Sequence, residues 1–133
     1  SDEWTMEELQ KIGTFIKKER KEGDRLFVSS GVGGMVYLAS DYVPEFHVFH
    51  SCFLIARFAP QEWRDSASAY MLAERPRFIV VHQSDRMSNI TGTEETSAET
   101  IRHLMPEVET MLENDYRVEM ETPAFRVYVR SNS

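Results

Sequence analysis

An amphipathic helix is the first element that the pattern of apolar and polar positions predicts. Leucine and isoleucine recur at helical spacing, and these residues are Leu9, Ile12 and Ile16. Thr5 and Glu8 have the spacing of a capping box, and Gly23 is of the residue type that commonly follows a helix end. The pattern therefore predicts a helix that begins at Thr5 and is closed by Gly23.

A short strand and a glycine-rich turn follow this helix. Leu26-Phe27-Val28 is too short for a helix and apolar enough for a buried strand. Ser29–Gly34 then turns the chain, and Met35–Ala39 can begin a short helix. A strand that enters a helix through a glycine turn is typical of open α/β sheets, whose ligands bind at the carboxyl ends of the strands.

The middle of the chain alternates between strand and helix patterns. Phe46–His50 alternates loosely and predicts a short second strand, whereas Ser51–Phe58 is apolar and fits either a strand or a helix. Pro60 suits the first position of a helix that should extend to about Glu74. The apolar run Phe78–Val81 lies between two helical patterns, so we expect a central strand that is covered on both faces.

A long polar segment, Ser84–Ser97, separates this strand from the next helix. Thr96 and Glu99 have capping-box spacing and open a helix that should end near Asp115. Pro106 lies inside this helical pattern, where it is expected either to kink the helix or to restart it.

The chain ends in two alternating segments, Tyr116–Met120 and Phe125–Val129, which are joined around Thr122-Pro123 and predict a β-hairpin at one edge of the sheet. Taken together, the elements predict a single α/β domain over residues 1–133. Its expected form is a three-layer, Rossmann-like sandwich with a mixed, mostly parallel sheet of about five strands, helices on both faces and a C-terminal hairpin.

Composition limits the classes of partner. A net charge of −7 disfavours nucleic acid and anionic membrane surfaces, because both are bound through clustered lysines and arginines. Cys52 is the single cysteine, so no intrachain disulfide can form. No apolar run reaches the roughly 20 residues of a transmembrane helix. Since the chain opens on Ser1 without an initiating methionine, we expect it to be part of a longer protein.

The glycine-rich turn is the main candidate for ligand binding. Its weak candidate residues are Ser29, Ser30, Gly31, Gly33 and Gly34. Backbone N–H groups at the start of a helix can hold phosphate, but the third glycine of a dinucleotide-binding fingerprint would fall at Val36. A permissive turn is the simpler interpretation, and a nucleotide- or small-molecule-binding module is the alternative.

Metal binding has weak support in the sequence. His47, His50 and Cys52 are possible zinc ligands, but a structural site needs four ligands, and strand alternation would separate His47 from the other two. No metal and no cofactor is therefore expected.

Nucleophilic catalysis has equally weak support. Ser29, Ser30 or Cys52 could act with a histidine, and Asp24, Asp41 or Asp85 could orient that histidine, although these groups are ordinary loop residues as well. The nucleophile elbow G-x-S-x-G is missing, because Val28 occupies the place of its first glycine. No catalytic residue is assigned.

Several segments carry a resemblance to a known family. In chain order they are Gly23-Asp24-Arg25-Leu26-Phe27-Val28, Val36–Ser40, Arg75-Pro76-Arg77-Phe78-Ile79-Val80-Val81, Tyr116-Arg117-Val118 and Phe125–Arg130. This order resembles the soluble C-terminal domain of bacterial polytopic membrane glycosyltransferases, the dolichyl-phosphate-mannose-protein mannosyltransferase and aminoarabinose-transferase-like group. The resemblance covers nearly the whole chain, and most of its residues are hydrophobic positions that determine a fold.

The resemblance implies a non-catalytic role on the extracytoplasmic side of a bacterial membrane, periplasmic or at the cell surface. In that family the catalytic acid and the donor site lie in the membrane portion, so no catalytic position carries over to this chain. The expected partners are the membrane domain of the same polypeptide and the acceptor substrate. Ser51–Phe58 or Asp85–Thr96 is expected to supply the contact surface.

Overall fold

A computed structural model describes residues 2–29, 61–84 and 96–131 of the chain. These ranges form four helices and four strands: α1 (Asp2–Glu19), β1 (Leu26–Ser29), α2 (Gln61–Glu74), β2 (Phe78–His82), α3 (Ser97–Leu104), α4 (Pro106–Asp115), β3 (Tyr116–Glu121) and β4 (Phe125–Arg130). The mixed α/β class expected from the sequence is confirmed. The short helix predicted at residues 35–39 and the strand predicted at residues 46–50 lie outside the described ranges.

The four described strands form one mixed sheet in the order β1-β2-β4-β3. β1 and β2 are parallel, whereas β4 is antiparallel to both β2 and β3. The terminal hairpin is thus confirmed, with β3 outermost on that side of the sheet. Of the three described strand pairings only one is parallel, because β4 of the hairpin inserts beside β2. The described strands therefore differ from the mostly parallel sheet that we expected.

β2 is the central strand that the sequence predicted. All five of its residues are buried, and it has β1 on one side and β4 on the other. Successive strand residues point to opposite faces, so Ile79 and Val80 define the two faces of the sheet. Phe27 pairs with Ile79 and therefore lies on the same face of the sheet. Val127 of β4 pairs with both Val80 and Met120, so Met120 lies on the face of Val80.

Helices lie against both of these faces. Phe15 of α1 lines a cleft together with Met120, which places α1 on that face. On the other face, the ring of Tyr70 from α2 lies 6.4 Å from the ring of Phe27. Residues of α3 and α4 enclose a small cavity against Val81 on the same side. The apolar core therefore lies on either side of β2.

Two details at the first helix differ from the prediction. The helix ends at Glu19, four residues before Gly23, and Gly23 instead lies in a β-turn closed by the Asp24 N–H donating to the Lys21 carbonyl at 3.0 Å. Its positive φ of 88° is the conformation that glycine adopts most easily in such a turn. The prediction of a capping box at Thr5 is also wrong, since α1 already begins at Asp2.

The second capping box and the proline restart are confirmed. The Thr96 hydroxyl accepts a hydrogen bond from the Glu99 N–H at 3.2 Å, and the Glu99 carboxylate accepts one from the Thr96 N–H at 3.4 Å. α3 then ends at Leu104, and Pro106 occupies the start of α4. Proline is tolerated in a first helical turn, where its missing N–H would have no intrahelical partner.

Candidate functional site

A polar cleft of about 240 Å³ lies where β1 and β2 begin. Because these strands are parallel, the residues that precede them meet at one edge of the sheet. The end of β4 reaches the same edge, since its last residues pair with the start of β2. The charged residues that line the cleft are Asp24, Arg25, Glu74, Arg75, Arg77 and Arg130. We refer to it as the arginine cleft.

A buried ion pair forms the floor of the arginine cleft. The Arg77 guanidinium lies 2.7 Å from the Asp24 carboxylate, and their side chains are only 9% and 14% exposed. The same Nη1 atom donates to the Glu19 carbonyl at 2.8 Å, at the end of α1 where a helix has unsatisfied carbonyls. The guanidinium also lies 5.1 Å from the centre of the Phe78 ring. Arg77 therefore joins α1 to the central strand.

Two exposed ion pairs lie above this floor. Arg25 contacts Glu74 at 2.7 Å, with side chains 46% and 44% exposed. Arg75 contacts Asp115 at 2.5 Å, and the hydrogen bond and charge of that carboxylate raise the pKa of Arg75. Exposed pairs contribute little to stability because water screens them. These two arginines can therefore exchange their carboxylate partners at low cost.

The backbone of Arg75 has an unusual conformation. Its φ is 44°, in the left-handed region that residues other than glycine seldom occupy. Its N–H donates to the Met71 carbonyl at 2.9 Å, so Arg75 closes α2 in the position where glycine is usual. This turn leads directly from α2 into the Arg75-Pro76-Arg77 segment that lines the arginine cleft.

The terminal hairpin holds this segment in place. The Tyr116 hydroxyl donates to the Pro76 carbonyl at 2.5 Å, and the Arg130 guanidinium donates to the Arg75 carbonyl at 2.5 Å. The Arg130 N–H donates to the Arg77 carbonyl at 2.9 Å. Burial raises the pKa of Tyr116 to about 12, so this hydroxyl keeps its proton at neutral pH. Arg75 and Arg77 therefore lie on a backbone whose carbonyl groups are held at three successive residues.

The opposite edge of the sheet, where β1 and β2 end, carries a smaller set of polar contacts. The His82 ring stacks on the Phe125 ring at 4.3 Å, and the Ser84 hydroxyl lies 3.3 Å from His82 Nε2. The Gln83 amide donates to the Thr122 and Phe125 carbonyls. These contacts fasten the hairpin turn to the end of β2, which is a structural role.

Most of the candidate residues predicted from the sequence lie outside the ranges that the structure describes. Ser29 ends β1 at the carboxyl edge. The other residues of the glycine-rich turn and the possible zinc ligands lie outside the described ranges: Ser30, Gly31, Gly33, Gly34, His47, His50 and Cys52. In the ranges that are described, no three histidine, cysteine or acidic side chains are grouped as metal ligands would be. No described helix combines the length and apolar character that crossing a membrane requires.

Sequence reasoning missed the arginine cleft, although a signal was present. Gly23-Asp24-Arg25 and Arg75-Pro76-Arg77 each come directly before an apolar strand. If the two strands are parallel, their preceding residues must meet at one edge. Comparisons with protein-family models, with curated proteins and with solved structures found no match to this chain.

Proposed function

We propose that this chain is a non-catalytic extracytoplasmic domain of a polytopic bacterial membrane glycosyltransferase. Its partner is the membrane domain of the same polypeptide, and it aids acceptor recognition or packs on the membrane-domain loops. One observation carries the proposal. Three separate segments of the family resemblance contribute residues to the same cleft: Gly23-Asp24-Arg25, Arg75-Pro76-Arg77 and Arg130.

This convergence adds support that a hydrophobic pattern alone does not give. Buried strand residues recur in many α/β domains because every sheet needs an apolar core. Charged residues at the starts of two strands are not required for that core. Their meeting with the last residue of the hairpin supports a common role for these segments at one edge of the domain. A fixed edge of this kind suits a surface that packs on another domain.

The complete fold that we propose is a three-layer, Rossmann-like sandwich of five strands, with the fifth strand at residues 46–50. Support comes from the helices that contact both faces of the described sheet. Amide hydrogen exchange on the 133-residue chain tests this directly. Slow exchange at residues 46–50, comparable with that of β1, is expected, whereas exchange at the rate of an unstructured peptide would remove the fifth strand.

The parent gene provides the first test of function. The sequence encoded upstream of Ser1 is expected to contain several apolar spans of about 20 residues, with an acidic residue in the first outward loop. A start codon near Ser1 with no such spans would exclude a membrane transferase. In the full-length protein, charged substitutions within residues 51–58 and 85–96 are expected to lower sugar transfer, with Arg25→Gln, at the amino-terminal edge of the described sheet, as a control for the change of a surface charge. Full transfer by both sets of variants would refute the proposed contact surface.

The alternative function is a free-standing module that binds a small molecule or nucleotide through residues Gly31–Gly34. The position of Ser29 favours it, because β1 ends beside β2 at the carboxyl edge, where open α/β sheets bind ligands. Titration with ATP and NAD distinguishes the two functions. The transferase domain should give no saturable binding and no thermal shift, whereas saturable binding that Gly33→Val abolishes would support the module.

A further inference from the structure

We propose that the arginine cleft binds a small oxyanion of the phosphate class, through the guanidinium groups of Arg25 and Arg75 above the buried pair of Arg77 and Asp24. The proposal depends on the charges and contacts of the cleft. It shares the arginine cleft with the proposed membrane-transferase function, but its test measures the binding of phosphate and not sugar transfer, so either proposal can fail without the other.

The charge of the arginine cleft differs in sign from that of the chain. Among the described residues, four arginines and two acidic residues line it, and Asp115 pairs with Arg75 beside it, so positive charges exceed negative ones by one, while the whole chain carries −7. Guanidinium groups suit this ligand because their planar array of N–H donors matches two oxygens of a phosphate at once. The cleft is therefore a locally cationic site on an acidic protein.

The ion pairs of the cleft differ in how easily they exchange. The Arg77–Asp24 pair is buried and shares its guanidinium with the Glu19 carbonyl, so it remains in place. The Arg25–Glu74 and Arg75–Asp115 pairs are exposed, and little free energy is lost when such a pair opens. A phosphate with up to two negative charges can replace Glu74 and Asp115 as the partner of these guanidiniums.

The backbone beneath the cleft is organised before any ligand arrives. Arg75 is held in the left-handed region, and its carbonyl accepts the hydrogen bond from Arg130. A site that is already fixed loses less entropy on binding. The cleft volume of about 240 Å³ lies below the range of roughly 300–1,000 Å³ that is usual for drug-sized ligands. The cleft therefore fits phosphate or a small phosphorylated compound.

The test is a titration of the chain with inorganic phosphate at constant ionic strength, with chloride as the replaced anion, followed by calorimetry and thermal shift. Saturable binding is expected. Arg25→Gln and Arg75→Gln should each weaken it on the order of tenfold, the usual effect of losing a charge-assisted hydrogen bond. Arg126→Gln is the matched control, because Arg126 forms an exposed pair with Glu121 at the other end of β4.

A second pair of variants distinguishes a binding site from a purely structural network. Glu74→Gln removes the resident partner of Arg25 and should tighten phosphate binding severalfold, although it deletes an ion pair. Glu121→Gln makes the same change of charge beside Arg126 and should leave the affinity unchanged. A structural network predicts no gain in either variant. Equal gains in both would indicate non-specific attraction and overturn the proposal.

The source of the oxyanion is resolved by a vesicle experiment. Vesicles of phosphatidylcholine with and without phosphatidylglycerol are mixed with the chain and sedimented. If the ligand is a free oxyanion, the chain should bind inorganic phosphate saturably and should not co-sediment with either kind of vesicle. Co-sedimentation with the anionic vesicles, together with no saturable binding of inorganic phosphate, would overturn the proposal in favour of a lipid surface. Absence of saturable binding with both probes would overturn it as well.

Discussion

Arg77 and Asp24 are 53 residues apart in the chain, yet their side chains form an ion pair of 2.7 Å that is almost excluded from water. The pair connects the segments that precede two parallel strands, and through the Glu19 carbonyl it also reaches the end of α1. A buried pair of this kind is costly to break, because removing one partner leaves the other charge buried without compensation.

Substitution of Arg77 therefore tests how far this pair supports the fold. Arg77→Met is expected to lower the free energy of unfolding by about 3–5 kcal/mol, measured by urea denaturation. The double variant Arg77→Met with Asp24→Asn should recover part of this loss, since it no longer buries an unpaired carboxylate. Arg126→Met, which removes an exposed arginine, should cost no more than about 1 kcal/mol. Similar losses of unfolding free energy in Arg77→Met and Arg126→Met would show that the buried pair stabilises the fold no more than an exposed pair does.

The left-handed conformation of Arg75 leads to a second prediction, which compares two substitutions at one position. Both Arg75→Gly and Arg75→Ala remove the exposed pair with Asp115, so they differ mainly in the backbone. Arg75→Gly should be the more stable by about 1 kcal/mol, because glycine adopts a positive φ without a steric cost. Urea denaturation of both variants gives the difference. An alanine variant as stable as the glycine variant would mean that this residue leaves the left-handed region.

The sequence pattern at Glu8 predicts a contact within one helical turn, whereas the structure gives this residue a long-range contact. Its spacing from Thr5 suggested a capping box, but its buried carboxylate accepts the Ala124 N–H at 2.9 Å, 116 residues away in the chain. Local sequence rules cannot anticipate such a contact. The arginine cleft was missed for the same reason, since it depends on strands that meet only in the folded chain. Thr96 and Pro106 were predicted correctly because their effects lie within one helical turn.

The order of the strands was also beyond the reach of local patterns. The apolar run Phe78–Val81 identified a buried strand, and the structure extends this strand by one residue to His82. Alternation likewise identified the hairpin strands β3 and β4. Neither pattern shows that β4 pairs with β2, because period and burial are the same whichever neighbour a strand has. The pairing of β4 with β2, which leaves a single parallel pairing among the three described, therefore emerged only from the structure.

The buried carboxylate of Glu8 gives a third prediction. One of its oxygens accepts the Ala124 N–H, and the other has no hydrogen-bond partner among the described residues. Glu8→Ala should lower the free energy of unfolding by about 1–3 kcal/mol, because it leaves the buried Ala124 N–H without an acceptor. Glu8→Gln keeps an acceptor oxygen and should cost less than Glu8→Ala. Thermal and urea denaturation of both variants measure the two losses. Equal losses in Glu8→Ala and Glu8→Gln would show that the contact with Ala124 does not matter.

The hydroxyl of Tyr116 gives a prediction for the alkaline range. Burial raises its pKa in the folded chain to about 12, against about 10 in an unfolded chain. Between these values the unfolded state loses the proton while the folded state keeps it, so the folded state binds more protons. The free energy of unfolding must then fall as the pH rises from about 10 to 12, and it is unaffected by this group below pH 9.

Tyr116→Phe separates this effect from the titration of other groups. At pH 8 the variant should be about 1 kcal/mol less stable than the original chain, because it lacks the hydrogen bond to the Pro76 carbonyl. Between pH 10 and 11 the difference should shrink, since phenylalanine has no proton that the unfolded state can lose. Urea denaturation of both chains at pH 8, 10 and 11 measures this convergence. A difference that stays constant across the three values would mean that Tyr116 titrates alike in the folded and unfolded chains, and that its hydroxyl is more accessible to water than the structure shows.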